Sequence, residues 1–281
     1  VVLRDGRLGV RETPDPQPGP GELLLRTLRL VDGGAGGMRI IGQHPEAQGS
    51  FAELLVVSEV AAKAVAGDVS NDAVALTDAF AVGEFYVRSA RMQPGEVAMV
   101  IGAGAIGLSA VAAPAGRGIE PIVVSDYKSD RRELARERFG AHLVVDPAQK
   151  SPSDAFNEVR AQRGLPGPAV VFECVGAPGL IQRIVESAEM GTRLYCGGGW
   201  YTGDTLDITA ATRQGVTIQF GGGPHPQGWY GTLDAIAARR LDALPSVGKI
   251  ITLEEVPDAL ELARRSDGPP RIVVHPNGDP T

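Results

Sequence analysis

The apolar positions of the chain follow one rhythm in its middle and another at its ends. Six short, mainly apolar runs lie at 97–101, 122–124, 143–145, 170–174, 192–196 and 216–220, and segments of helical spacing at 129–139, 153–163 and 178–189 lie between them. A small-residue helical segment from near Ala105 follows the first run, and only a short connection precedes the last. Strands that are apolar on both faces are covered on both faces, and helices between them impose parallel order. The spacing predicts an α/β fold with a doubly wound parallel sheet over residues 89–240.

Residues 1–30 instead alternate apolar and polar positions around the turn-rich TPDPQPGPGE, and alternation returns from Phe51 to Val57, which predicts antiparallel strands. Between them, glycines at 33, 34, 36 and 37 and few large apolar side chains predict an exposed, mobile loop over 31–50. Val69 to Met92 reads as helix, with Ser70 or Asn71 as its N-cap. GGGPHPQGWYG at 221–231 reads as a loop, followed by a helix through Arg240. A strand-like KIITL, a helix from Glu254 to Arg265 and a final strand RIVVHP then need a sheet to join, and that of residues 1–60 is the natural one. Both chain ends are therefore expected in one mostly β domain, 1–88 with 241–281, into which the parallel sheet is inserted.

The candidate chemistry sits at the first parallel strand. Its apolar run leads into Gly102, Gly104 and Gly107 in the spacing G-x-G-x-x-G, then a helix, a second strand, and Asp126, 19 residues past the third glycine. In a dinucleotide site Gly102 permits the sharp turn, Gly104 lets the backbone approach a pyrophosphate, and Gly107 lets the helix pack closely on the sheet. The free amides of the helix opening at Ala105 and Ile106, with its positive dipole end, would face the phosphates. Asp126 can accept hydrogen bonds from both ribose hydroxyls and repel a 2′-phosphate, which favours NAD over NADP, although Lys128 and Arg131 nearby weaken that preference. Six strands is also the number in the doubly wound nucleotide fold.

Two other readings of this stretch stay open. A chain with 37 glycines meets such a spacing by chance, and a purely structural turn would use the same residues. Val97 to Gly116 also carries no charge and is long enough to span a bilayer, although its glycines and Pro114 make it a poor lipid-facing helix. Pro114 is expected to end or kink that helix.

Composition narrows the class further. The length of 281 residues suffices for one large or two ordinary domains, and 43% hydrophobic with 22% charged residues is ordinary for a soluble globular chain. A net charge of −7 argues against nucleic acid as a partner, and RRELARER at 131–138 reads as a solvated helix face. Cys174 and Cys196 lie in apolar runs and read as packed thiols in an intracellular, cytoplasmic protein. The start, VVLRDGRLGV, is charged too early for a secretory segment.

Several stretches match a known family in the right order: PGPGELLLRTL, GSFAELLVV, LTDAFAVG, MVIGAGAIGLSAV, RFGAHLVVDP, VVFECVGAPG and IITLEEVPDALELA. With these the chain resembles the medium-chain dehydrogenases/reductases of the zinc alcohol and sorbitol dehydrogenase type. The resemblance implies a Rossmann domain inserted in a GroES-like catalytic domain, here a reduced one, and a homodimer formed through the strand at Val216–Phe220. It implies that Val175, Gly176, Gly197 and Gly198 line the nicotinamide half of the cofactor, with Val82 on the far side of the ring; simple turn chemistry is the alternative for the glycines. It also exposes a departure. The cysteine and G-H-E motifs that supply catalytic zinc ligands in the family are missing, as is the four-cysteine lobe, as though several dozen residues were deleted between roughly Val31 and Met38.

Asp78 matches the family's third ligand position, and His44 and Glu53 are the other candidates, too few to hold zinc. Asp78 is then expected as a surviving polar residue of the catalytic wall, or as a solvent-facing or capping aspartate. His142 and His275 read as structural; His225 either faces a ligand or simply lies in its loop, and Tyr86 and Tyr201 either donate a proton or pack. Two functions follow: an NAD(H)-dependent oxidoreductase moving a hydride to or from a small alcohol or carbonyl without zinc, or a degenerate relative that binds NAD(P) without redox turnover.

Overall fold

In the computed structural model the described residues are 2–4, 7–20, 22–26, 30–31, 50–59, 62–65, 68–93, 95–165, 169–199, 203–221, 223–264 and 268–278. Residues 32–49 of the loop predicted over 31–50, with His44, and Tyr201 lie outside them. The chain divides into two compact units, one of Val1–Thr77 with Leu233–Thr281 and one of Asp78–Thr232.

The first unit carries β1 (Val2–Arg4), β2 (Arg7–Gly9), β3 (Glu22–Arg26), β4 (Leu30–Val31), β5 (Leu54–Ser58) and the short α1 (Asn71–Ala75). Across the boundary lies α2 (Thr77–Ser89). The helix expected over Val69–Met92 is thus broken at Leu76, which closes α1, and Ser70 makes no side-chain cap bond.

In the second unit β and α alternate without interruption: β6 (Ala98–Ile101), α3 (Ala105–Ala115), β7 (Ile122–Ser125), α4 (Ser129–Phe139), β8 (Leu143–Val145), α5 (Pro152–Arg163), β9 (Val170–Glu173), α6 (Leu180–Ser187), β10 (Arg193–Cys196), α7 (Ile208–Gln214) and β11 (Thr217–Phe220). All pairings in this sheet are parallel, and the strand order is β11-β10-β9-β6-β7-β8. The order reverses beside β6, which creates the crevice outside the carboxyl ends of the strands where open α/β sheets take ligands. The expectation of a doubly wound α/β fold holds. Val97–Gly116 is a strand, a turn and an 11-residue helix rather than one span, and no helix among the described residues is long and apolar enough to cross a membrane. The helix ends at Ala115, one residue past Pro114.

Burial explains the strand composition. β7 and β9 are buried at every position, as strands covered on both faces must be. One face carries Val97, Met99, Val123, Val171 and Leu194 against Phe156 of α5 and Ile181, Ile184 and Val185 of α6. The last three recur at the i, i+3, i+4 spacing of one helix face, and each contributes roughly 1.5–3 kcal/mol on burial. α3 covers the sheet at β6, β7 and β9.

Then come α8 (Pro226–Ala237), β12 (Val247–Ile251), α9 (Val256–Arg264) and β13 (Arg271–Val274). Among the described residues of the first unit, β12, β13 and β4 form one sheet, and β1 with β2 and β3 with β5 form antiparallel pairs. The C-terminal strand joins β4 through Val273↔Val31 and Val274↔Leu30. A small core of Ile251, Leu253, Val256 and Val274 packs with Phe51 and Leu260, and His275 bonds through Nε2 to Asp72 at 2.9 Å.

Candidate functional site

At the carboxyl end of β6 the chain turns through Gly102, Ala103 and Gly104 into α3. Gly102 holds φ +92°, a conformation L side chains rarely adopt, and donates its N–H to Ser125 O at 2.7 Å. A Cβ on Gly102 would lie 2.6 Å from Val175 Cγ2. Gly107 is tighter still, because a Cβ there would stand 1.8 Å from Gly102 O. This residue therefore lets the helix sit against its own turn. Gly104 differs from both: a Cβ would meet nothing within 4 Å, and no side chain caps the helix it opens. The first-turn amides of a helix have no intrahelical acceptor, so those of Ala105, Ile106 and Gly107 face the open space with the positive end of the dipole.

Asp126 closes the other side. Its Oδ2 accepts from Ala103 N–H at 2.7 Å and its Oδ1 from Lys128 N–H at 2.8 Å. A carboxylate has about four lone-pair sites, so each oxygen keeps capacity for a hydroxyl. Arg132 belongs to the run expected as a solvated helix face but instead turns inward and braces this end: Nη1 donates to the carbonyls of Asp126 and Tyr127 at 2.7 and 2.9 Å. Arg131 lies in the first turn of α4 and is partly buried. The turn and the carboxylate are thus one hydrogen-bonded assembly, and they are the groups the sequence singled out.

Val175, Gly176, Gly197 and Gly198 come together at the carboxyl ends of β9 and β10. Gly176 holds φ +73°, and a Cβ on it would lie 2.3 Å from Gly199 O, while one on Gly198 would lie 2.1 Å from Gly176 N. The two turns interlock, so the glycines have a packing reason whether or not a ligand is present. Gly197 accommodates Tyr86, whose Cε2 would be 2.8 Å from a Cβ there. Tyr86 is buried and donates its hydroxyl to Cys196 O at 3.2 Å; burial pushes it up to about 12, so it packs rather than acts as a ready acid. Burial likewise pushes Cys196 up to about 12 and Cys174 well above its ordinary value. Beside them a cavity of about 460 Å³ is lined mainly by Tyr86, Ile181, Cys196, Leu206 and Phe220. Val82 is half-buried in α2 and Val175 is 48% exposed.

Beneath both turns lies Glu173, the last residue of β9 and a member of the 170–174 run. It is completely buried, and burial raises its pKa against the opposing pull of the Gly176, Val175 and Gly198 amides. A carboxylate inside a buried strand was the signal that marked it.

Asp78, in the first turn of α2, accepts from the Trp229 indole Nε1 at 2.8 Å. Glu53 is exposed. His225 bonds through Nδ1 to the Gln227 side chain, and His142 takes the Ile122 amide on Nδ1 at 3.2 Å. Among the described residues no three His, Cys, Asp or Glu side chains converge. The glycine turn and Asp126, by contrast, fit a dinucleotide.

A family model described as zinc-binding dehydrogenase matches residues 105–238. The sorbitol dehydrogenase of Bacillus subtilis (strain 168) is 24% identical over 245 residues, covering 83% of this chain and 65% of its own length. The (R,R)-butanediol dehydrogenase of Neisseria gonorrhoeae is 25% identical over 232 residues, or 82% of this chain and 64% of that protein. The chain thus spans slightly less than two thirds of the length of these relatives. An alcohol dehydrogenase of Escherichia coli CFT073, solved with NADH, has the same fold, with a TM-score of 0.78 over 96% of both chains at 16% identity. By this partial family-model match and these relatives, the chain is similar to the medium-chain dehydrogenases/reductases, whose fold it shares.

Proposed function

We propose that the protein is an alcohol dehydrogenase-like oxidoreductase that binds NAD(H) and moves a hydride between the nicotinamide and a small alcohol or carbonyl. One observation carries this reading: the open space over Gly104 is flanked by uncapped helix amides and by an aspartate that two backbone N–H groups hold in place. Gly102, Gly104, Ala105, Ile106 and Gly107 would receive the pyrophosphate, and Asp126 the adenosine ribose, with Arg131 beside it; the carboxylate favours NAD over NADP. Val175, Gly176, Gly197 and Gly198 would line the nicotinamide half, with Val82 on its far side, and the cavity beside Cys196 offers room for the ring. When bound, the cofactor supplies the hydride chemistry; the chain binds it, orients it and excludes water. Asp78 is the candidate polar wall residue of the catalytic side, held by Trp229. No step is assigned to zinc.

The relatives point to a panel of polyols and vicinal diols as first substrates. Calorimetry with NAD and NADH, followed by absorbance of NADH with that panel, tests the reading. Binding with turnover supports it. Binding without turnover, and without hydride exchange from labelled cofactor, favours the non-redox alternative, and no binding overturns both. The exposed edge strand β11, with Phe220 58% exposed, is the proposed homodimer seam; an unchanged dimer in the ultracentrifuge for Phe220→Lys rules it out.

A further inference from the structure

Glu173 ends β9 with no exposed surface, yet its polar atoms serve both turns that follow β9 and β10. Its Oε1 accepts the N–H of Val175 and of Gly176, each at 2.7 Å. Its backbone carbonyl accepts the N–H of Gly197 at 2.7 Å and of Gly198 at 3.1 Å. One residue therefore collects four amides from two loops that are 22 residues apart in sequence (197 − 175). Its Oε2 has no hydrogen-bond partner and lies where a Cβ on Gly198 would come within 2.8 Å. A buried unpartnered carboxyl oxygen is costly, and an apolar residue of similar size would fill the space at less cost. What an apolar residue cannot do is accept the two amides of the 175–176 turn. The two turns also pack closely, since a Cβ on Gly176 or Gly198 would stand only 2.3 or 2.1 Å from the facing backbone.

We propose that Glu173 is a positioning residue for the nicotinamide end of the cofactor: it fixes the 175–176 and 197–198 turns as one shelf, without itself touching the ligand. This rests on the dinucleotide reading of the site. Val175 abuts Gly102, but the four amides that Glu173 collects all belong to the 175–176 and 197–198 turns, so its loss should weaken the nicotinamide end more than the adenosine end.

ADP-ribose, which carries the adenosine and pyrophosphate but no nicotinamide, separates the two ends. In Glu173→Ala, NADH affinity should fall about tenfold, the scale of one lost hydrogen bond, while ADP-ribose affinity stays within about twofold of the wild type. Glu173→Gln keeps an acceptor for both amides and should restore NADH binding to within about threefold, a rescue that mere filling of the site would not need. Glu173→Leu, which fills the space without the acceptor, should behave as Glu173→Ala does. Gly198→Ala presses on the same turn from the other side and should reproduce the selective loss of NADH, so the proposal stands or falls on it and on Glu173→Gln even where Glu173→Ala does not fold. Equal losses for NADH and ADP-ribose, or wild-type NADH binding in Gly198→Ala, overturn the proposal. Failure of the wild type to bind ADP-ribose overturns instead the dinucleotide reading beneath it.

Discussion

Asp126→Asn distinguishes a carboxylate that recognises a sugar from one that only holds a turn. In the wild type both oxygens are occupied by backbone amides, Oδ2 by Ala103 and Oδ1 by Lys128. Asparagine offers one oxygen for the two donors and turns its own NH₂ toward the other N–H. Losing one hydrogen bond to a charged group costs about 1.5–3 kcal/mol, which for a unit of this size lowers Tm by roughly 5 °C. A structural role ends there. If Asp126 also meets the ribose, the same loss recurs in the complex, and NADH binds about ten- to a hundredfold more weakly. NADPH responds differently. A carboxylate and a unit negative charge at contact repel by about 1 kcal/mol in water-like surroundings. A 2′-phosphate with nearly two charges then suffers about 2 kcal/mol that the neutral amide removes, so the preference for NADH over NADPH should shrink by more than about tenfold. Thermal unfolding and calorimetry with both nucleotides give the two numbers. A lowered Tm with an unchanged NADH-to-NADPH ratio would refute the assignment of Asp126 to the sugar.

The three glycines should fail in different ways: Gly107→Ala, whose Cβ would press on Gly102 O, should lose stability by about 1–3 kcal/mol as overpacking does. Gly104→Ala, which meets nothing in the free protein, should unfold within about 1 kcal/mol of the wild type but bind NADH far more weakly, and equal affinity would count against a pyrophosphate over Gly104. Alkaline stability follows from Cys196 and Tyr86, both raised to about 12 from ordinary values of 9.0 and 10.0. The unfolded chain releases these protons first, so their contribution is whole below pH 9 and is lost as pH climbs toward 12, at up to about 1.4 kcal/mol per pH unit for each group. Urea midpoints between pH 9 and 10.5 should therefore fall less steeply in Cys196→Ala, and parallel slopes would sink the argument. Glu173, also raised, has the same sign at lower pH: stability declines as pH rises from the ordinary carboxyl value through the raised one, and Glu173→Gln should lack that decline.

What the sequence revealed is what chain neighbours decide. β8 and α4 were legible to the residue because an apolar run and a charged helical face are local patterns, and Gly140 closes α4 in the left-handed conformation. α7 was missed because it buries no residue and leaves no hydrophobic period. Its local marks are Gly215, which closes it in the left-handed conformation, and Asp207, whose carboxylate caps the amides of Thr209 and Ala210 at 2.8 and 3.3 Å. The glycine turn and Asp126 were readable as a spacing, but the bond between Ala103 and Asp126 was not, since it depends on β6 and β7 lying side by side. Glu173 and Trp229 mark the limit. Glu173 reaches beyond its own turn to Gly197 and Gly198, Trp229 reaches Asp78 151 residues away, and no periodicity reports such meetings.

The indole of Trp229, bonded to Asp78, has an optical consequence. It is one of the chain's two tryptophans, and its emission depends on what surrounds the ring. A molecule that drew Asp78 away would change the hydrogen bonding of the fluorophore itself, while reduced nicotinamide absorbs where indole emits. Occupancy near the carboxylate and occupancy by coenzyme would thus leave separate traces in one spectrum, with no label attached.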